Sequence, residues 1–485
     1  MADLKQKTVA GMAWSAIQKF GVMGISFVSN MVLARLLSPD DMGCIGLLAI
    51  FILLSNTFID GGFGSALIQK KQPTQADYST IFWWNMGLSV ALYGVLFVAA
   101  PWVAAFYKLD LLRDVLRVQG LVLIFNALCL IQNNQLRKKL KFKLLATTNI
   151  VAALISVAAA IVLAMMGWGV WALVAQQLVL SIMGAVLLWA VGKWRPSFAF
   201  SASSFKELFH FGFFILLSNL INTFCNNIQG LLIGRIYNSS TMGYYSQARK
   251  LEQVSSNSLS QIVDQVAYPV LAEAQNDKGY MQSILKKLIT SLAFVVFPLM
   301  LVMALTARPL IVLIYSAKWL AAVPYFQILC IAGTASCLQG INYYAVAAVG
   351  KSGSLFKWTV IKRSVGLLFV VGGLWLWGMK GLLSGMVATS FFIYLVNAYQ
   401  VQLHVGYGVM RQLRDLLPVS ALTLMAFGVG YAAKQPFASA GMFAEGGVAL
   451  AAFVAAYLGV AALCRMDAMK EAAALLGRVV GKIKK

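Results

Sequence analysis

Charge is what this chain has least of. Only 11% of its 485 residues are charged, and just 16 of them are acids. A soluble domain carries roughly 25% charged residues, so charge this scarce cannot coat a water-facing globule, and the soluble classes are excluded. The six cysteines, Cys44, Cys129, Cys225, Cys330, Cys337 and Cys464, fall inside apolar runs without metal-ligand or redox spacing. They read as small buried or lipid-facing residues, and neither a metal nor a cofactor is expected. The opening stretch, MADLKQKTVAGMAWSAIQKF, lacks a short apolar core followed by a small-residue cleavage site. No removable signal peptide is read there, and the first helix is expected to stay.

Apolar sequence fills the space that charge leaves: 60% of residues are hydrophobic and the mean hydropathy is +0.78. Apolar runs of about 20 residues, the length needed to cross a hydrocarbon core, recur from near residue 9 to near residue 464. They predict an all-α polytopic membrane protein of about fourteen transmembrane helices joined by short links. The net charge of +23 does not point to nucleic acid, because most of the 39 basic residues lie in alternate connections, as do LRKKLKFK (Leu136 to Lys143) and the group Lys351, Lys357, Lys362 and Arg363. By the positive-inside rule those connections and both termini face the cytoplasm.

VLARLLSPDDMG (Val32 to Gly43) returns two hundred residues later as LIGRIYNSSTMG (Leu232 to Gly243), with Arg235, Met242 and Gly243 on Arg35, Met42 and Gly43. Six spans separate the copies, an even number, so both point the same way across the membrane. Parallel repeats of this kind set two halves about an axis along the membrane normal, with the substrate path between them. The organisation expected is a six-helix bundle over 1–195, a cytoplasmic linker over 196–208, a second bundle over 209–405, and a helix pair with a basic tail over 406–485. The repeated tip needs no chemistry. Ser38 and Asn238 suit helix N-caps, Pro39 suits a first helical position, and Asp40 and Asp41 suit a helix dipole. A membrane glycosyltransferase or polymerase also carries paired acids in its first external loop, but it needs sizeable external loops, and here every external connection is only a few residues long.

Charge inside the spans is harder to dismiss. Arg35 and Arg235 lie at outer helix ends, where they can snorkel. Lys19 is about ten residues into the first span, where an ammonium costs about 2.5–3.5 kcal/mol unless a cavity or an anion receives it. The eighth span adds Arg249, Lys250, Glu252 and Asp264, so part of it must line water. On the seventh, Asn219, Asn222, Asn226 and Gln229 recur at helical spacing as one stripe. Amides and cations are what a sugar chain on a phosphate linker requires. Lys19, Arg35, Arg235, Arg249, Lys250, Asn222 and Asn226 are therefore the candidate substrate contacts. Asp60, Glu252 and Asp264 are either ion-coupling sites or partners of nearby cations.

Five stretches in order, VLARLLSPDDMG, DGGFGSALIQKK (Asp60 to Lys71), LRKKLKFK, MGYYSQARKLEQ (Met242 to Gln253) and VAYPVLAEAQND (Val266 to Asp277), resemble the polysaccharide transporter family of the multidrug/oligosaccharidyl-lipid/polysaccharide superfamily. The likeness is to its flippases for O-antigen, capsule and colanic-acid-type exopolysaccharide. It implies two six-helix bundles around a central cationic cavity. It also implies alternating-access transport of an undecaprenyl-pyrophosphate-linked oligosaccharide for lipopolysaccharide or capsule biosynthesis, with membrane lipids and a polysaccharide polymerase and glycosyltransferases as neighbours. A multidrug or cation antiporter of the same superfamily often carries an acid deep in its first helix, where this chain has Lys19. A lipid II flippase shares the span count and the cavity, but the quoted motifs resemble the polysaccharide branch more closely.

Overall fold

Helices start where the sequence supplies caps and stop where it supplies turns. The computed structural model describes residues 2–70, 72–192, 194–437, 439–466 and 469; the side chains at 2–10, 12, 211, 257, 259, 261–266, 269, 352 and 356 fall outside that description. Every regular element among the described residues is helical. α1 (Ala2–Leu36) ends before Ser38, which accepts from the Asp41 amide in a reciprocal capping box and opens α2 (Pro39–Asp60). Gly61 and Gly62, at φ 55° and 71°, break the chain before α3 (Phe63–Gln69). These are backbone angles that side-chain-bearing residues rarely adopt. A second capping box, Thr74 with Asp77, opens α4 (Gln75–Tyr107).

The chain continues through α5 (Leu111–Gln119), α6 (Val122–Lys138), α7 (Phe142–Met165) and α8 (Val170–Val191). A non-helical strap leads from there to α9 (Ala202–Ile236), which is bent by 51° between Ala202–His210 and Gly212–Ile236. α10 (Ser239–Glu273) is capped by Asn238, whose Oδ1 accepts from the Thr241 amide at 2.8 Å. Then come α11 (Lys278–Leu305), α12 (Ala307–Tyr315), a 3-10 turn over Ala317–Ala322, α13 (Val323–Ala348), α14 (Ser352–Val405), α15 (Val409–Lys434) and α16 (Met442–Leu463).

The packing divides into two compact units, Met1–Gly243 and Tyr244–Lys485. In the first, α7 packs between α1 and α8, α6 lies against α4 and α8, and α2 runs along α9. In the second, α13 packs on α14 and α11, and α15 on α16 and α11. Buried leucine, alanine, isoleucine and phenylalanine fill both interiors, while large apolar side chains such as Trp102, Trp168 and Trp375 point outward, as expected for lipid-facing surfaces.

Eleven described helices are long and apolar enough to cross a membrane, or twelve if the bent α9 is one span. That falls short of the fourteen expected, and the shortfall has two physical sources. α14 is 54 residues long and counts once, although Trp377 and Gly378 leave helical geometry within it. α10 is 35 residues long but is kept out by the same polar residues that made it conspicuous. Lys362, which the charge pattern assigned to a connection, is instead buried within α14, where its Nζ donates to Asn397 Oδ1 at 2.6 Å.

Candidate functional site

A cavity of about 840 Å³ lies inside the first unit, walled by α1, α2, α6, α7 and α8. Its polar wall comprises Ser15, Gln18, Lys19, Asn56, Asn126, Asn133, Arg137, Asn149, Gln177 and Ser181, with no carboxylate among the described residues that line it. Packing register sets the depth of each residue. α1 and α7 run side by side, with Gly11 against Phe142, Trp14 beneath Lys143, and Gly21 against Ile150. Arg137 and Phe142 therefore mark the end of the cavity at the α6–α7 connection. Lys19 lies near the level of Asn149, about 10 Å further in at 1.5 Å per residue.

The deeper amides are partly tied to each other. Asn126 Nδ2 donates to Asn56 Oδ1 at 3.1 Å, and Gln119 Nε2 donates to Gln177 Oε1 at 2.8 Å. By contrast, the side chains of Lys19, Arg137, Asn133 and Asn149 form no hydrogen bond or ion pair among the described residues. Asp60 stays outside the lining yet attracts Arg137 electrostatically. It borders Gly64 together with Asn134, whose buried Nδ2 has no partner. The result is a membrane-embedded chamber, lined by no acid among the described residues, whose cations and several of whose amides have their hydrogen-bonding capacity to spare.

The repeated tips meet at the other end of the same unit. Ser239 Oγ donates to Asp40 Oδ1 at 2.5 Å. A methyl group at Gly43 would lie 1.8 Å from the Ser239 carbonyl oxygen, and one at Gly243 would lie 2.0 Å from that of Pro39. The close approach continues down α2 and α9. Gly230 faces the Gly46 carbonyl, Thr57 and Thr223 hydroxyls lie 3.3 Å apart, and Gly212 abuts Gly61 and Gly62.

Near that last contact an ionic clamp holds the strap. Lys70 Nζ donates to Asp77 at 3.1 Å and to Glu207 at 2.9 Å, while Lys138 donates to the carbonyls of Leu67 and Lys70. Trp83 Nε1 donates to the Ser197 carbonyl, and Trp194 Nε1 to Gln75. The bond to Glu207 first, then Asp77, holds the Lys70 ammonium above the usual lysine range. A raised lysine contributes stability at neutral pH that is lost only as pH climbs through its raised value.

Of the residues singled out in the sequence, Lys19 alone lines this cavity. Arg35 is exposed at the end of α1, and Arg235 donates to the Phe106 carbonyl at 3.1 Å over that residue's ring. Asn222 and Asn226 sit on α9, away from the cavity lining. In the second unit Arg249 donates to Tyr245 Oη at 2.8 Å, Lys250 is exposed, and Glu252 is buried against Gly333. The Asp264 side chain lies outside the described residues. Sequence reasoning missed Arg137, Asn126, Asn133 and Asn149. Asn126, Asn133 and Arg137 share α6 with Gln132, Asn134 and Gln135, Asn149 follows Thr147 and Thr148 on α7, and Arg137 is concealed in a basic run; only packing shows which of these polar residues meet.

This helical architecture is also that of the solved lipid II flippase MurJ in its inward closed conformation, which superposes with a TM-score of 0.71 at 14% identity, covering 91% of this chain and 98% of that one. Residues 32–324 match the polysaccharide biosynthesis protein family, and the chain belongs to that family, within the polysaccharide transporters of the multidrug/oligosaccharidyl-lipid/polysaccharide superfamily. It is similar to the teichuronic acid biosynthesis protein TuaB of Bacillus subtilis, 27% identical with 90% of this chain and 91% of that one covered. It is likewise similar to the lipopolysaccharide biosynthesis protein WzxC of Escherichia coli, 26% identical with 76% of each covered.

Proposed function

We propose that the protein is a flippase carrying an undecaprenyl-pyrophosphate-linked oligosaccharide from the cytoplasmic to the periplasmic leaflet of the inner membrane, by alternating access. The observation that carries this reading is the chamber inside a membrane-spanning unit, with Lys19 and Arg137 in its wall and no acid among the described residues that line it. A small cationic drug would be repelled there, whereas a phosphate-linked sugar would find charge-assisted donors for its phosphates and amides for its hydroxyls. The names of TuaB and WzxC, from teichuronic acid and lipopolysaccharide biosynthesis, support a glycan cargo. Catalysis is not part of the proposal: the turns at Ser38 and Asn238 pack on each other and leave no room there for an acceptor sugar.

The topology that goes with it has cytoplasmic termini. Single cysteines at Asp40, Ser239 and Lys318 should be labelled from outside intact cells by an impermeant thiol reagent, and those at Lys139 and Lys351 should not. Labelling at Lys139 but not Ser239 would invert the reading.

The cations of the chamber are expected to act together. A hydrogen bond to a charged group is worth about 1.5–3 kcal/mol, so losing two of them costs orders of magnitude in affinity. In a strain lacking the chromosomal copy, a Lys19→Ala, Arg137→Ala double variant should abolish surface polysaccharide at normal protein level, and Lys380→Ala should not. Full export by the double variant at normal expression would remove the proposed function's cationic basis.

A further inference from the structure

We infer that Lys362 is the proton-carrying site of the transport cycle, an ammonium at the junction of α13 with the two arms of α14 that gives up its proton and takes one back in each turnover. The inference rests on the flippase reading and deepens it by naming the ion exchanged for the cargo. Its basis is geometry inside the second unit. α14 bends at Trp377 and Gly378, and its arms run back along each other: Gly373 abuts the Gly381 carbonyl, Gly385 meets that of Phe369, and Thr389 Oγ1 donates to the Gly366 carbonyl at 3.2 Å. The same register sets Lys362 across from Asn397 and Ser354 across from His404. Lys362 then lies about 15 Å from the start of α14 at Ser352 and about 22 Å from the bend at Trp377, at 1.5 Å per residue. Ionisable groups so deep in a membrane-spanning helix are costly, and those that are kept commonly serve ion or proton paths.

What surrounds the ammonium decides its ligand. Lys362 is 6% exposed, which closes it to a phosphate or a sugar, and the ligand small enough to come and go is a proton. Its Nζ donates to Asn397 Oδ1 at 2.6 Å, and Asn397 Nδ2 donates in turn to the Gln339 carbonyl of α13 at 3.2 Å. No carboxylate pairs with it among the described residues, and the charge that acts on it is a second cation, its neighbour Arg363. Other titratable groups on the elements packed here are engaged elsewhere: Tyr394 on Gln412, His404 beside Ser354, Cys337 on the Ser256 carbonyl, and Asp415 of α15 between Tyr407 and Lys286 of α11. Glu252 of α10 meets α13 at Gly333. Gln400, three residues past Asn397 and so on the same helix face, is fully buried with neither end bonded, which leaves a second amide acceptor for an ammonium that has moved off the first. Lysine, unlike arginine, can give up its proton inside a protein. In that step an Nζ–H bond breaks, the electron pair stays on nitrogen and the proton passes to water; uptake is the reverse. The charged form holds both arms and α13 together through a charge-assisted bond, roughly twice as strong as a neutral one, and the neutral form loosens them. Proton occupancy thus sets how tightly α13 and α14 pack, and a proton entering down its gradient is exchanged for a lipid-linked glycan leaving.

The full-length protein is reconstituted into phosphatidylcholine liposomes with undecaprenyl diphosphate as the probe, undecaprenol as the uncharged lipid and a pH-sensitive dye trapped inside, and the outer solution is made more acid. Wild type is expected to let protons in at least tenfold faster with the diphosphate than with undecaprenol. Lys362→Met and Lys362→Arg should fall to the undecaprenol rate, and Lys357→Met, exposed on the same arm, should not. Arginine separates a proton carrier from a structural tie, because its guanidinium keeps a donor for Asn397 but does not release a proton. Asn397→Asp is a second lock. It gives the ammonium a carboxylate partner, so the protein should unfold no earlier than wild type yet stop moving protons. Proton entry at the wild-type rate in Lys362→Arg or Asn397→Asp protein overturns the site and leaves Lys362 a packing tie. The flippase reading is tested separately, by restoring export to a null strain. If wild type restores export but moves no protons with the diphosphate, the site is wrong and the function stands; if it moves protons through Lys362 and fails to restore export, the site stands and the function is wrong.

Discussion

Cysteines introduced as Asp40→Cys and Ser239→Cys, in a chain freed of its six native cysteines, are expected to cross-link and bring export to a halt. The two side chains already touch, Ser239 Oγ donating to Asp40 Oδ1 at 2.5 Å, and the helices behind them are fixed by the caps at Ser38 and Asn238. The proposed alternating access has these outer ends part once per cycle, and a covalent bond between them would prevent it. Surface polysaccharide should fall to the level of a null strain under mild oxidation or a short bifunctional thiol reagent, and recover on reduction when a disulfide was formed. Each single-cysteine chain should export normally under the same oxidant. A cross-link that forms in most molecules while polysaccharide still reaches the surface at the wild-type rate would sink the alternating-access mechanism for this protein.

The caps at that tip were legible from sequence because capping is local. Ser38, Pro39 and the two aspartates carry their geometry within one turn, and Asn238 repeats it. The family was legible for a related reason, since its five motifs lie mostly at helix ends and connections, where residue identity is tied to backbone shape. By length and apolarity alone the described fold shows eleven or twelve spans rather than the fourteen expected. The fold carries charge through α10 and joins two helices across Trp377 and Gly378 without a polar loop. The chamber was half legible. Lys19 stands out because an ammonium in an apolar run is costly, while Arg137 is camouflaged by Lys138, Lys139, Lys141 and Lys143, and Asn126, Asn133 and Asn149 converge only through packing. The amide stripe on α9 was equally visible, yet none of its four residues lines the chamber. Periodicity names a helix face but not what the face meets. Lys362 makes the same point in reverse: its neighbours Lys357 and Arg363 suggested a surface connection, and the fold turned its ammonium onto Asn397.

Replacing both tip glycines, as Gly43→Ala with Gly243→Ala, should lower export at least tenfold without unfolding the protein. Neither residue has a positive φ, so conformational freedom is not what glycine supplies there, and alanine is the better helix former by about 1 kcal/mol. What glycine supplies is space. A methyl group at Gly43 would stand 1.8 Å from the Ser239 carbonyl oxygen and 3.1 Å from the Gly243 nitrogen, and one at Gly243 would stand 2.0 Å from the Pro39 carbonyl oxygen. All of these are backbone atoms, which cannot rotate aside as a side chain can, so the two tips must move apart to admit the methyls. The Asp40–Ser239 hydrogen bond is then stretched and the closed state destabilised relative to the open one. Gly94→Ala is the matched control, because nothing lies within 4 Å of the position its methyl would take. The direction of the shift can be read independently of transport. In cysteine-free chains carrying Lys19→Cys, an impermeant thiol reagent applied from outside should reach the chamber faster in the tip double variant than with wild-type tips, because a tip that cannot close leaves the chamber open to that side for longer. Unaltered labelling at residue 19, with export intact, would mean that the glycine contact is only packing and that the gate lies elsewhere.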